Sequence, residues 1–258
     1  MELTGKIALV TGGASGLGRA SCEQLVAKGA KVVIFDLNEE LGLQAVAELG
    51  ADRATFAQVN VTDEASVKAG IDHAVETFGA VHLCINCAGI ATGGKILDRE
   101  GQALPLADYS KTLTINLIGT FNVARLAAEQ MAKNDVLNDN GERGLIVNTA
   151  SVAAFDGQMG QCAYAASKGG IVSMTLPLAR DLAKTGIRVN AIAPGIMGTP
   201  MLMGLPQNVQ DGLVADIQFP KRLGQPSEFG DLVCHMAENA YLNGEVVRLD
   251  GAIRMPPR

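Results

Sequence analysis

Short apolar runs alternate with amphipathic helical stretches along most of the chain, and this alternation constrains the fold more than any other feature. KIALVTG is followed by a helix from about Gly16, KVVIFD by one over 39 to 49, and ATFAQVN by one over 63 to 78. VHLCINCAG, a long helix near 108 to 133, GLIVNTAS, a helix near 161 to 184, GIRVNAIAPG, a helix near 226 to 239 and GEVVRLDG continue the rhythm. Strands that read as unbroken apolar runs are buried on both faces, and parallel neighbours need a crossover long enough to hold a helix. The pattern predicts an α/β, doubly wound Rossmann fold: a parallel sheet of about seven strands with helices on both faces. With no linker or shift in composition, the 258 residues are read as one domain spanning 1-258.

Two polar, glycine-containing stretches, 93 to 108 and 134 to 144, read as surface loops. A third, GIMGTPMLMGLPQN from 195 to 208, carries Met197, Met201 and Met203 among glycines and prolines and reads as a mobile apolar lid.

Bulk chemistry excludes several functions. The net charge is -6 and the 21 Lys and Arg are scattered, so no basic face exists for nucleic acid. The first apolar run is short and follows no basic region, which argues against a signal peptide or a membrane span. Five cysteines form no disulfide framework, and Cys84 and Cys87 would point to opposite faces of one strand, so reduced, ordinary thiols are expected. That composition suits the cytoplasm, or the mitochondrial matrix in a eukaryote. His73, His82 and His235 lack partners at ligand spacing, so no metal site is expected.

In a doubly wound sheet, ligands bind where loops leave the carboxyl ends of the strands, and the informative residues all fall there. TGGASGLGRA follows the first strand; Gly12, Gly16 and Gly18, with Ser15 and Leu17, would turn tightly, offer backbone N–H groups to a pyrophosphate and open a helix. Asp36 ends the second strand 18 residues past Gly18, placed either to accept both hydroxyls of an adenosine ribose or to cap the next helix. As a ribose ligand it would repel a 2′-phosphate and favour NAD over NADP. Asn60 and Val61 follow the third strand, where the Asn60 oxygen could hold the adenine amino group; Cys87, Ala88 and Gly89 follow the fourth and leave room for a ribose. Pro194, Gly195, Met197 and Thr199 follow the sixth, near where a nicotinamide carboxamide would lie.

Tyr164 and Lys168, in CAYAASKGG, are four apart on a predicted helix and share a face among small neighbours. Ser151 ends the fifth strand thirteen residues earlier, and Asn116 is a lone amide within LTINLIG.

TGGASGLG, NCAG, Asn116, Ser151 with YAASK, and PGIMGT together resemble the short-chain dehydrogenase/reductase family across essentially the whole chain. NTASVAAFDGQMGQCAY, SKGGIVSMTLPLARDL and LNGEVVRLDGAIRMPP are most similar to the branch whose members act on 3-hydroxyacyl-CoA and 17β-hydroxysteroids. One position departs: this chain has Asn60 where the family usually has aspartate.

The resemblance implies a cofactor half of about 1-115 and a catalytic half of about 116-258. It assigns Tyr164 as acid and base, Ser151 as a hydrogen-bond donor to the substrate oxygen, Lys168 as the charge that favours phenolate and holds the nicotinamide ribose, and Asn116 as the anchor of a proton-carrying water. The implied reaction is hydride exchange between NAD and a secondary alcohol, with (S)-3-hydroxyacyl-CoA as the expected small-molecule substrate. A 17β-hydroxysteroid, a simple alcohol or a 3-oxoacyl-carrier-protein are alternatives, and a non-catalytic dinucleotide sensor is a reading of a different class. Lys95 and Arg99 are either contacts for a CoA phosphate or solvated loop charges. A homotetramer is expected, assembled through the helix carrying YAASK and the final strand.

Overall fold

The computed structural model describes residues 1–204 and 206–257, with the side chains at 201 and 209 outside that description. Seven strands form one all-parallel sheet: β1 (Ile7–Thr11), β2 (Lys31–Asp36), β3 (Ala54–Gln58), β4 (Leu83–Asn86), β5 (Gly144–Thr149), β6 (Ile187–Pro194) and β7 (Val246–Leu249). Their order across the sheet is β3-β2-β1-β4-β5-β6-β7, so the winding reverses beside β1, where β4 pairs with it. The crossovers are α1 (Gly16–Ala27), α2 (Glu39–Leu49), α3 (Glu64–Phe78), α4 (Leu106–Leu113), α5 (Gly119–Met131), α6 (Cys162–Leu182), α7 (Pro200–Met203), α8 (Gln207–Ala215) and α9 (Pro226–Glu238).

Strand side chains alternate between two cores. Ala8, Val10, Ile34, Leu83, Ile85 and Val147 pack on one face with α1 and with Phe229 and Val233 of α9. Ile7, Leu9, Phe35, Cys84 and Ile146 pack on the other face with α3, α5 and α6. The period of two sends alternate residues to opposite layers, so the strands are largely apolar, and buried polar residues on them such as Arg188 and Asn190 are hydrogen-bonded. Cys84 and Cys87 belong to different layers as expected, and all five cysteines are free thiols.

Two expectations need correction. The long helix predicted near 108 to 133 starts at Leu106 and is interrupted by a π-helical turn over Thr114–Ile118, with Asn116 buried at its centre. Such a bulge is invisible to apolar periodicity; here it lets an interior amide reach backbone partners outside the helix. The stretch 93 to 108 is not wholly loop, because a bridge between Leu97 and Ala103 folds it on itself and its last residues enter α4. The 195 to 208 stretch, read as an apolar lid, holds α7 and the start of α8, with Pro200 opening one helix, where its missing N–H costs nothing. Met197 is a buried core residue and Met203 is half exposed, while the Met201 side chain lies outside the described residues.

Candidate active site

The predicted residues converge at the carboxyl edge of the sheet, in two adjoining cavities. One, of about 610 Å³, is lined by Gly12, Ser15, Gly16, Leu17, Gly18, Asp36, Asn60, Val61, Cys87, Ala88, Gly89 and Thr199, among others. The second, of about 500 Å³, is lined by Ser151, Tyr164, Lys168, Pro194, Gly195 and Met197, and shares Leu17, Cys87, Gly89, Ile90 and Thr199 with the first. All the residues expected to hold the cofactor or carry the chemistry, except Asn116, therefore face one or both cavities.

The first cavity is shaped by backbone. A Cβ at Gly18 would lie 2.2 Å from the Gly12 carbonyl oxygen, and one at Gly12 would lie 3.0 Å from the Ala88 nitrogen; Gly12 and Gly16 also have φ of 63° and 54°. Only glycine allows that turn to close so tightly. Thr11 braces it from below, its Oγ1 accepting from the backbone nitrogens of Cys87 and Ala88 at 3.1 and 3.0 Å.

Asp36 stands at the rim, one carboxylate oxygen accepting from Ala14 N at 3.2 Å and the other from Asn38 N at 3.1 Å. The helix cap weighed for Asp36 falls instead to Asn38, whose side chain accepts from Leu41 N at 3.0 Å. Arg19, on the helix that the glycine turn opens, is turned to Glu23 and Glu48, each at 2.8 Å, and so offers its charge elsewhere. Asn60 differs from expectation. Its oxygen already accepts from Thr62 N at 3.1 Å and from Thr62 Oγ1 at 2.8 Å, so adenine would find that acceptor engaged.

In the second cavity, α6 presents Tyr164 and Lys168 one turn apart. Lys168 Nζ donates to the Thr149 carbonyl at 2.7 Å and lies 5.8 Å from the Tyr164 ring centroid. Burial pushes the Lys168 ammonium down to about 8, a pull that Cys87 opposes weakly. Burial also raises the Tyr164 phenol above its ordinary value, and a hydrogen bond with Ser151 opposes it. In the protein alone, desolvation dominates both groups. Ser151 opens a short 3-10 turn, its Oγ accepting from Ala153 N at 3.1 Å.

Asn116 sits behind this arrangement. Its Oδ1 accepts from Ile90 N at 2.8 Å, and its Nδ2 donates to Ile90 O at 2.9 Å and to Ser167 Oγ at 3.2 Å. The side chain thus locks the loop after β4 to α6. A Cβ at Gly89 would come within 3.0 Å of that Asn116 oxygen and 3.8 Å of the Lys168 ammonium, so the glycine keeps the junction of the cavities open.

The sequence reading missed Gln158, Gln161, Leu202, Leu213 and Met255, which complete the second wall. The two glutamines stand in FDGQMGQCAY, polar residues each directly after a glycine just ahead of Tyr164; nothing in sequence could place Met255 there. Lys95 and Arg99 are exposed in their loop and line neither cavity.

A family model described as short chain dehydrogenase matches residues 6–210. The chain belongs to the short-chain dehydrogenases. Among relatives of this dehydrogenase, 3-hydroxyacyl-CoA dehydrogenase type-2 of Homo sapiens is 52% identical over 257 residues, covering 99% of this chain and 98% of the relative. The Drosophila melanogaster protein of the same name is 52% identical over 252 residues, covering 97% of this chain and 98% of its own. The crystal structure of 3-hydroxyacyl-CoA dehydrogenase type-2 from Mycobacterium avium superposes with a TM-score of 0.95 at 45% identity, covering 98% of both chains. This short-chain dehydrogenase is an oxidoreductase that works with a nicotinamide cofactor. The first cavity fits such a group: a glycine cradle with free amides at a helix start, and a carboxylate at its rim.

Proposed function

We propose that this dehydrogenase interconverts (S)-3-hydroxyacyl-CoA and 3-oxoacyl-CoA thioesters with NAD(H). The observation that carries the reading is the meeting of the two cavities at Gly89 and Thr199, with Ser151, Tyr164 and Lys168 on the substrate side of that meeting point. The relatives' names supply the substrate class, and the apolar lining of the second cavity by Ile196, Met197, Leu202, Leu213 and Met255 suits an acyl chain.

In this reading residues 1-115 hold the cofactor and 116-258 the substrate. Gly12, Ser15, Gly16, Leu17 and Gly18 cradle the pyrophosphate. Asp36 takes the adenosine ribose and disfavours a 2′-phosphate, so NAD is used. Asn60 and Val61 flank the adenine, Cys87, Ala88 and Gly89 leave space for the inner ribose, and Pro194, Gly195, Met197 and Thr199 border the nicotinamide. When bound, the nicotinamide exchanges hydride with the carbinol carbon and, oxidised, adds a positive charge at the site.

The protein's own groups handle the proton. In reduction Tyr164 donates its phenolic proton to the substrate oxygen; in oxidation its phenolate takes that proton back. Ser151 donates a hydrogen bond to the same oxygen and steadies charge developing on it. Lys168, with one N–H spent on Thr149, keeps further N–H groups for the ribose and lends its charge to the phenolate. Asn116 keeps the π turn and Ile90 in register behind them and anchors the route by which protons reach solvent.

A homotetramer is part of the proposal. Leu106, Ile118, Phe121 and Leu176 are large apolar side chains left exposed on α4, the π turn, α5 and α6, and a symmetric contact would cover them. Five free thiols support a reducing compartment, the cytoplasm by preference, and among the described residues no helix is long and apolar enough to cross a membrane.

The test is acetoacetyl-CoA reduction with NADH and NADPH side by side, and Tyr164→Phe as control. Turnover with NADH that falls about a thousandfold in the variant, while NADH binding persists, is the expected result. Equal use of NADPH would overturn the cofactor assignment, and turnover of steroids or simple alcohols alone would overturn the substrate class.

A further inference from the structure

Part of the substrate cavity's wall has no regular secondary structure. Gln158 and Gln161 come from the segment 155–161, and Met255 from the segment 250–257. Irregular backbone holds its shape only if its polar groups are fixed, and here the two segments fix each other. Gln158 Nε2 donates to the Pro256 carbonyl and Met159 N to the Pro257 carbonyl, both at 3.0 Å.

Arg248, on β7, joins the pair at their roots. Its Nη2 donates to Asp156 Oδ2 at 2.6 Å and to the Ile253 carbonyl at 3.1 Å, while its Nε donates to Asp250 Oδ2 at 2.7 Å. The guanidinium also lies 5.2 Å from the Phe155 ring centroid. Asp250 in turn accepts from Ala252 N at 3.0 Å, holding that residue at a φ of 62°, which alanine avoids without support. Just beyond, Ile253 is fully buried against Val152, the neighbour of Ser151, and against Ile217, which follows α8. One cation thus ties the segment after the serine to the segment carrying Met255.

We propose that Arg248 is a positioning residue for the substrate, clamping Asp156 and Asp250 so that Gln158, Gln161 and Met255 form a fixed wall. The planar fork suits this task because it bonds two carboxylates along different edges at once, which a lysine ammonium does less well. The reacting groups have separate supports: Lys168 is held by Thr149 and Ser151 by Ala153. Loss of the clamp therefore weakens substrate binding and leaves the proton chemistry in place. The inference rests on the proposed function only for the choice of assay substrate.

The test compares Arg248→Met, Arg248→Lys and Asp156→Asn in the full chain by hydrogen exchange, NADH titration and steady-state kinetics. In Arg248→Met, exchange speeds up in 151–161 and 250–257, most at the Met159 amide. KM for acetoacetyl-CoA rises about tenfold, kcat stays within about threefold, and NADH affinity is unchanged. Asp156→Asn reproduces this more mildly, Arg248→Lys falls between, and adding Asp156→Asn to Arg248→Met worsens nothing. Unchanged exchange in 151–161 overturns the proposal, as does a loss of NADH affinity that tracks KM, the mark of a general structural defect. If Arg248→Met does not fold, the same criteria apply to Arg248→Lys and Asp156→Asn. A wild-type protein that turns over no 3-oxoacyl-CoA overturns the proposed function alone, since hydrogen exchange still decides the clamp.

Discussion

Lys168 Nζ donates to the Thr149 carbonyl across 2.7 Å, joining α6 to the last residue of β5 two positions before Ser151. The ammonium is buried, and this bond fixes the distance between the strand that delivers the serine and the helix that delivers the tyrosine. In the proposed mechanism, the side chain that carries charge for chemistry thus also sets the geometry of the site.

Because burial pushes Lys168 down to about 8, its charge is lost within reach of ordinary assays. Ketone reduction needs the ammonium and a protonated phenol, so kcat/KM for reduction should be level near neutrality and fall as pH rises through about 8. Oxidation needs phenolate and should rise with pH over the neutral range. Matched pH profiles in the two directions check this; reduction that accelerates above that point would contradict the assignment.

Gly18→Ala should disable the cofactor cavity. The new Cβ would meet the Gly12 carbonyl oxygen at 2.2 Å and its carbon at 2.7 Å, both backbone atoms that can move only by opening the turn. Strain of about 1–3 kcal/mol is expected, with a drop in Tm and at least about a tenfold loss of NADH affinity in a fluorescence titration.

Asp36→Asn keeps the shape and an acceptor at the rim but removes the negative charge. NADH affinity should fall by less than about tenfold, while NADPH, no longer repelled, gains relative to it. The ratio of kcat/KM for the two cofactors reads this out.

Glu142 and Arg188 form an ion pair at 2.7 Å with both side chains nearly buried. Burial works to raise the Glu142 carboxyl, but Arg188 and Asn138 outweigh it and hold the group below its ordinary 4.5. A depressed carboxyl stabilises the fold above its unfolded value and loses that contribution as pH falls through the folded one, so Tm should drop as the pH is lowered below the ordinary carboxyl value. Glu142→Gln, which leaves Arg188 buried without its counter-charge, should cost about 3 kcal/mol at neutral pH. Denaturant unfolding of the two proteins at neutral and acid pH measures both effects.

The apolar runs were legible because a strand covered on both faces is built mostly of apolar side chains, and all seven strands lie where those runs put them. Tyr164, Lys168, Ser151, Asp36 and the glycines were legible for a related reason. The winding of the sheet delivers every strand's carboxyl end to one edge, so residues just past strands meet without further information.

What failed to show was chemistry set by distant partners. The π turn around Asn116 exists because the Ile90 backbone and Ser167 satisfy the amide, and the Asn60 oxygen is taken by Thr62. The wall of Gln158, Gln161 and Met255 depends on Arg248 reaching Asp156, 92 residues away. The sequence by itself determined the sheet, its two layers and the edge that holds the candidate site, because periodicity and strand-end spacing are local. Only the tertiary structure decided which polar groups are already spent on one another, because a hydrogen bond between distant segments leaves no period in the chain.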